Sequence, residues 1–207
     1  MGKLDKKWYS HLWVWLVLIF IVYILASTSE PTQTQQAAVV KQAPASVFTV
    51  VVPLPPDETQ FINIVSTAQQ EVTGADNNMK KGGIKSIRDK SVCKLLTSLN
   101  VKDWIATVDT LDSNSDGKGV LAVLLAKDIT LKTWNNAISD SFDNTLIKPN
   151  SALFNAASSL KVGQQVKFTG KFYRDDDDCI EEGSLSLDGK LSSPEYIFKF
   201  SAISRLN

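Results

Sequence analysis

Nineteen consecutive residues carry no formal charge, Trp8 to Ala26 (WYSHLWVWLVLIFIVYILA). As a helix, at about 1.5 Å per residue, they extend roughly 28 Å, close to the hydrocarbon thickness of a bilayer. Lys3, Lys6 and Lys7 precede them against one acid, Asp5. Positive charge is retained on the cytoplasmic side, so residues 1–7 read as a cytoplasmic tail, 8–26 as a transmembrane helix, and the remainder as exported. Trp8, Tyr9, Trp13 and Trp15 fall near the inner interface and Tyr23 near the outer one, depths that amphipathic rings favour. A cleaved signal peptide has a shorter apolar region and a small-x-small site. Residues 24–29 (ILASTS) offer a poor one, and no cysteine is present there for lipid attachment. The expectation is an uncleaved signal-anchor in the inner (cytoplasmic) membrane, with a single pass and a periplasmic C-terminal domain. His11, the one histidine of the chain, has no acidic partner in the span and reads as a neutral or snorkelling side chain.

Basic and acidic residues balance at 22 each. Without residues 1–26, which hold three lysines and one aspartate, 19 basic face 21 acidic residues. A nucleic-acid binder normally shows a basic excess, so that class is disfavoured. The two cysteines, Cys93 and Cys179, both lie on the exported side, and an even count in an oxidising compartment points to a disulfide. Their spacing fits no zinc motif.

Residues 27–56 are rich in Ser, Thr, Gln, Ala and Pro and read as an extended linker, interrupted by Val47–Val52 (VFTVVV). Residues 57–100 read as a helical segment. Asp57 or Thr59 is expected to cap a first helix whose apolar stripe is Phe61, Ile64, Val65, Ala68 and Val72. Gly74 and the Asp76–Asn78 run end it. After Gly82-Gly83 a second helix is expected from about Ile84 to Ser98, burying Ile84, Ile87, Leu95 and Leu99. Lys85, Arg88, Asp89 and Lys94 fall on its other face, where Arg88 is expected to be solvated or in a local ion pair.

From Val101 the apolar period becomes two, as in a strand. Trp104, Ala106 and Val108 alternate with Ile105, Thr107 and Asp109. The turn-rich DSNSDGKG separates this run from Val120–Ala126, and a third strand is expected from about Ile129 to Trp134. Residues 151–160 read as a short helix capped by Ser151. A further strand carries Val166, Phe168 and Phe172 on one face. Ser184–Leu191 holds a second Asp-Gly turn, and Tyr196–Ile203 closes the chain.

Strand, strand, strand, helix, strand, strand is the order of the five-stranded Greek-key OB-fold. Residues 101–207 read as this OB-fold-like domain, and from Val101 to Leu206 the chain also resembles, through Asp103, Trp104, Ala106 and Val108, the Gly117–Gly119 hairpin and the SPEYIFKFSAI run, membrane-anchored bacterial proteins of the tRNA-anti-like group. That resemblance implies a fold class: α+β, with an N-terminal transmembrane helix, a two-helix prelude and an OB-fold-like β-barrel. It brings no catalytic motif.

Two acidic features stand out. Asp112, Asn114, Asp116 and Gly117 spell the start of an EF-hand loop, but Val123 occupies the place of its bidentate glutamate. Asn and Asp favour hairpin tips on their own account. A weak calcium site is the one cofactor considered, and none is expected. Asp175, Asp176, Asp177, Asp178, Glu181 and Glu182 form a dense acidic run around Cys179. It reads as a solvated loop tip or, functionally, as a dock for a basic partner or a divalent cation.

Nucleophilic and metal-hydrolase motifs are lacking in the exported part, which holds no histidine, so catalysis is not expected. The primary functional expectation is a membrane-anchored, extracytoplasmic binding module. Its partners would be the bilayer through residues 8–26 and an envelope protein or peptide. The alternatives are a structural or exclusion component of an envelope complex, and a single-stranded nucleic-acid-binding OB domain.

Overall fold

The computed structural model describes residues 52–206. The expected transmembrane helix at 8–26, the tail before it and the linker up to Val51 lie outside the described residues. Two helices come first, α1 (Pro56–Thr73) and α2 (Asn78–Leu95). Three strands follow, β1 (Asn100–Ser113), β2 (Gly119–Ala126) and β3 (Ile129–Lys132), then helix α3 (Ala152–Ser158) and strand β4 (Gln165–Phe172). A two-stranded ribbon, β5 (Arg174–Asp175) and β6 (Cys179–Ile180), leads to helix α4 (Leu187–Ser192) and the last strand, β7 (Glu195–Arg205).

The five long strands hydrogen-bond in the order β1-β2-β3-β7-β4, and β4 pairs back onto β1. Four of the pairings are antiparallel. The fifth, β3 with β7, is parallel, matching Leu131 to Tyr196. The fold class expected from the sequence is corrected accordingly. The described residues are α+β with a five-stranded mixed sheet, closed through β4 and β1 and carrying more elements than the expected OB-fold-like barrel. Between β4 and β7 the chain inserts the ribbon and α4, neither of which was expected. Leu187–Ser192 is helical because Ser186 caps it, accepting from the Gly189 amide at 3.0 Å, so the Asp188-Gly189 pair sits inside a helix and makes no hairpin turn. Among the described residues, no helix is long and apolar enough to cross a membrane.

Alternation places the core. On β4, Val166, Phe168, Gly170 and Phe172 are buried, while Gln165, Lys167 and Lys171 are exposed. Phe61 from α1 drops onto this sheet. Its ring lies 5.5 Å from Trp104, 5.5 Å from Phe172 and 5.3 Å from Tyr196. Phe172, Phe198 and Phe200 continue the stack, with centroids 5.0 and 4.9 Å apart. Each such ring contributes about 1.5–3 kcal/mol by leaving water, plus edge-to-face attraction.

The helices differ from expectation at their ends. α1 has no side-chain cap; Pro55 precedes it and Pro56 takes the first helical position, where its missing N–H costs nothing. Asp57 and Glu58 are released for other work. The Asp57 carboxylate accepts from Trp104 Nε1 at 3.0 Å, and Glu58 accepts from the Ile105 amide at 2.9 Å. Both bonds land where β1 slips register against β4, between Val101 and Trp104, with Asp103 at φ 58°. Glu58 thus satisfies a backbone amide beside the irregularity, while Asp57 fixes the Trp104 side chain. α2 starts at Asn78, because the Asn77 side chain caps it by accepting from the Lys80 amide at 3.0 Å. Gly82 and Gly83 lie inside it. Its buried face is Arg88, Asp89 and Val92; Ile87, expected to be buried, is 65 % exposed.

Glu58 is fully buried, and its second oxygen, Oε1, has no hydrogen-bond partner. Burial, partly offset by the Ile105 amide, pushes its carboxyl up to about 7. A raised carboxyl takes up a proton on folding, so its contribution is fully present below the unfolded value of 4.5 and is lost as pH rises through 7. The described domain is therefore expected to lose stability between about pH 4.5 and 7. Glu58→Gln keeps an acceptor for Ile105, should flatten that decline, and should add on the order of 1–2 kcal/mol at pH 8. Urea titrations of both proteins across this range provide the check; an unchanged pH slope would show that Glu58 is not its source.

Candidate binding site

Only Asp176 and Asp177 of the acidic run form a solvated tip. The rest is fastened by a covalent bond to α2 and by Lys85 and Arg88 of α2 and Lys190 of α4. Cys93, near the end of α2, forms a disulfide with Cys179 at the start of β6, with Cα atoms 5.6 Å apart. Two turns earlier on α2, Lys85 pairs with Asp89 at 2.6 Å and with Asp178, and Lys190 of α4 also pairs with Asp178. Arg88 is the centre of this cluster. It bonds Asp89 at 2.7 and 2.9 Å, pairs with Glu182, and donates to the Lys190 carbonyl. Its guanidinium carbon lies 5.9 Å from the centroid of the Tyr196 ring.

Arg88 was expected to be solvated or in a local ion pair. The local pair is present, with Asp89, but Arg88 is not solvated: a second partner, Glu182, lies 94 residues away, and the Arg88 and Glu182 side chains are 1 % and 0 % exposed. Burial opposes the Arg88 charge, but Tyr196, Glu182 and Asp89 outweigh it and hold its pKa above the usual value. Burial pushes Glu182 up to about 7, with Arg88 and Lys85 pulling the other way. Asp178 also loses solvation, yet the hydrogen bonds from Lys190 and Lys85 hold its pKa below the ordinary value. Its contribution is present above the unfolded value of 3.8 and fades as pH falls through the lowered folded value.

The six acids divide by environment. Asp178 and Glu182 are consumed by the cluster. One Asp175 oxygen accepts from the amides of Asp177 and Asp178 at 2.9 and 2.7 Å, which shapes the turn. Glu181 faces Asp143, and burial together with that neighbour pushes it up to about 7. Asp176 and Asp177 remain exposed. They border an open recess of about 580 Å³ between α2 and the ribbon, lined also by Lys90, Arg174 and the disulfide. The recess therefore has one acidic wall of fixed shape and, among the described residues, two cations outside the ion pairs: Lys90, and Arg174, which donates to the disulfide sulfurs and the Cys179 carbonyl.

The second acidic feature is a hairpin tip joining β1 to β2. Asn114 Oδ1 accepts from the Asp116 and Lys118 amides at 3.1 and 2.9 Å, and Asp112 accepts from the Ser113 amide at 2.7 Å. These oxygens turn toward their own backbone. Among the described residues no group of three or more His, Cys, Asp or Glu is arranged to hold a metal ion.

Two features escaped the sequence reading. Glu58 lies on the same helical stripe as Phe61, Val65 and Ala68, and an acid in an apolar stripe was the available signal. Asp140, 4 % exposed, gathers the Thr145 hydroxyl at 2.7 Å and the Leu146 amide at 3.2 Å, and no local pattern announced it.

Compared with known protein families, curated proteins and solved structures, the chain shows no match to any of them. The likeness to the tRNA-anti-like group thus rests on the sequence patterns alone.

The disulfide spans 86 residues. Replacing Cys93 and Cys179 by serine is expected to cost about 2–5 kcal/mol, seen as a lower urea midpoint. A midpoint that does not move would mean that the ion pairs alone hold the ribbon to α2.

Proposed function

We propose that this chain is an extracytoplasmic interaction module tethered by residues 8–26, without catalytic activity, that takes a basic segment of an envelope protein or peptide in the recess between α2 and the ribbon. The observation that carries this reading is the Cys93–Cys179 disulfide at the edge of that recess. A stable disulfide belongs to an oxidising compartment. It also fixes an acidic turn that mutual repulsion would otherwise spread, leaving Asp176 and Asp177 presented in one geometry. Steering by such a wall favours cationic partners and disfavours phosphate backbones.

The test uses the full chain in cells, with a photo-crosslinking residue at Lys90 inside the recess or at Lys161 away from it. The expected result is one salt-sensitive adduct from position 90, lost when Asp176 and Asp177 are both changed to Asn. Equal adducts from the two positions, or adducts indifferent to the two aspartates, would refute the recess as the site.

A further inference from the structure

A disulfide that serves only as a staple gains little from a cation, because neither sulfur carries charge while the bond is closed. At Cys93 and Cys179 a cation is nevertheless aimed at both sulfurs. Arg174 Nη1 lies 3.5 Å from Cys93 Sγ, 3.3 Å from Cys179 Sγ and 3.5 Å from the Cys179 carbonyl oxygen. Arg174 belongs to no ion pair among the described residues, so no carboxylate there neutralises it. A guanidinium beside sulfur stabilises the thiolate, the form in which a sulfur leaves a broken disulfide.

The two sulfurs are not equivalent. Both cysteines line the open recess between α2 and the ribbon, so a small molecule can reach the bond from solvent. Cys93 is half-buried, whereas Cys179 is 5 % exposed. The more accessible cysteine is therefore Cys93. The better leaving sulfur is that of Cys179, which Arg174 approaches more closely and whose carbonyl it also holds. The ribbon is also set to move once the bond opens. Cys179 has φ 70°, a left-handed conformation that a non-glycine residue keeps only where its surroundings impose it. Asp175, Asp176 and Asp177 of the same recess repel one another beside it.

We propose that Cys93 is a thiol-exchange site, attacked by a small thiol, with Cys179 departing as a thiolate that faces Arg174. A bond forms between the incoming sulfur and Cys93 Sγ as the Cys93–Cys179 bond breaks, and the electron pair of the broken bond goes to Cys179 Sγ. The incoming thiolate is oxidised to one half of the mixed disulfide and Cys179 is reduced. The number of disulfides is conserved, so the step draws on no outside oxidant or reductant. Its consequence, which rests on the recess reading above, is release of the acidic wall for as long as the mixed disulfide lasts.

The test treats the folded full chain with mercaptoethanol, quenches with acid, alkylates free thiols and assigns each sulfur by peptide mass spectrometry. The first product is expected to carry mercaptoethanol on Cys93 and the alkyl group on Cys179. Arg174→Gln should slow its formation about three- to tenfold, and Arg174→Lys should restore most of the rate. A merely structural Arg174 would move the rate the other way, since a looser ribbon exposes the bond. An adduct that appears first on Cys179, that forms only in urea, or that forms as fast or faster in Arg174→Gln overturns the proposal. None of these readouts involves a peptide, so the crosslinking from position 90 succeeds or fails independently of them.

Discussion

Gly170→Ala is expected to destabilise the described domain by at least about 3 kcal/mol, one of the two largest effects in the chain. Gly170 sits in β4 where the pairing with β7 shifts, between Thr169 and Gly170. The Phe198 ring lies across it, and a Cβ there would overlap both that ring and the Lys199 carbonyl oxygen. The ring belongs to the aromatic stack, and the oxygen belongs to the backbone of the neighbouring strand. Relief therefore demands that β4 and β7 separate. Urea unfolding of residues 52–207, followed by fluorescence of the buried Trp104, measures the loss. Gly83→Ala is the contrast: it lies within α2 with nothing within 4 Å of the added carbon, and should stabilise by about 0.5–1 kcal/mol. Equal behaviour of the two variants would contradict the packing described at Gly170.

The second large effect is at Arg88. Arg88→Met leaves the Glu182 carboxylate, whose side chain is 0 % exposed, without its cation. Removing one member of a buried pair typically costs about 3–5 kcal/mol, because the remaining charge keeps its desolvation penalty. Adding Glu182→Leu should recover most of that loss, since replacing a buried pair by apolar side chains is often neutral. Asp89 keeps Lys85 as a partner in both variants. A double variant as unstable as the single one would mean that Arg88 acts through Tyr196 and the Lys190 carbonyl instead of through Glu182.

What local pattern dictates was readable. The two-residue alternation of Val166, Phe168 and Phe172 placed one face of β4 in the core, and Ser151 marked the start of α3. Features set by distant contact were not readable. Ile87 and Arg88 exchanged their expected environments because Glu182, far along the chain, supplies the counter-charge that lets an arginine be buried. The acidic run looked solvated because repulsion is a local property, whereas Lys85 and Lys190 come from two other helices. Gly82-Gly83 looked like a break because the cap at Asn77 lies upstream of it. The parallel pairing of β3 with β7 has no local signature at all.

The proposed tether would hold this disulfide-closed domain outside the cytoplasm. Two fusions at Asn207 test it most directly, one reporter active only after export and one that matures only in the cytosol. Activity from the first and silence from the second are expected, with the protein retained in the membrane fraction. Signal from the cytosolic reporter alone would contradict it.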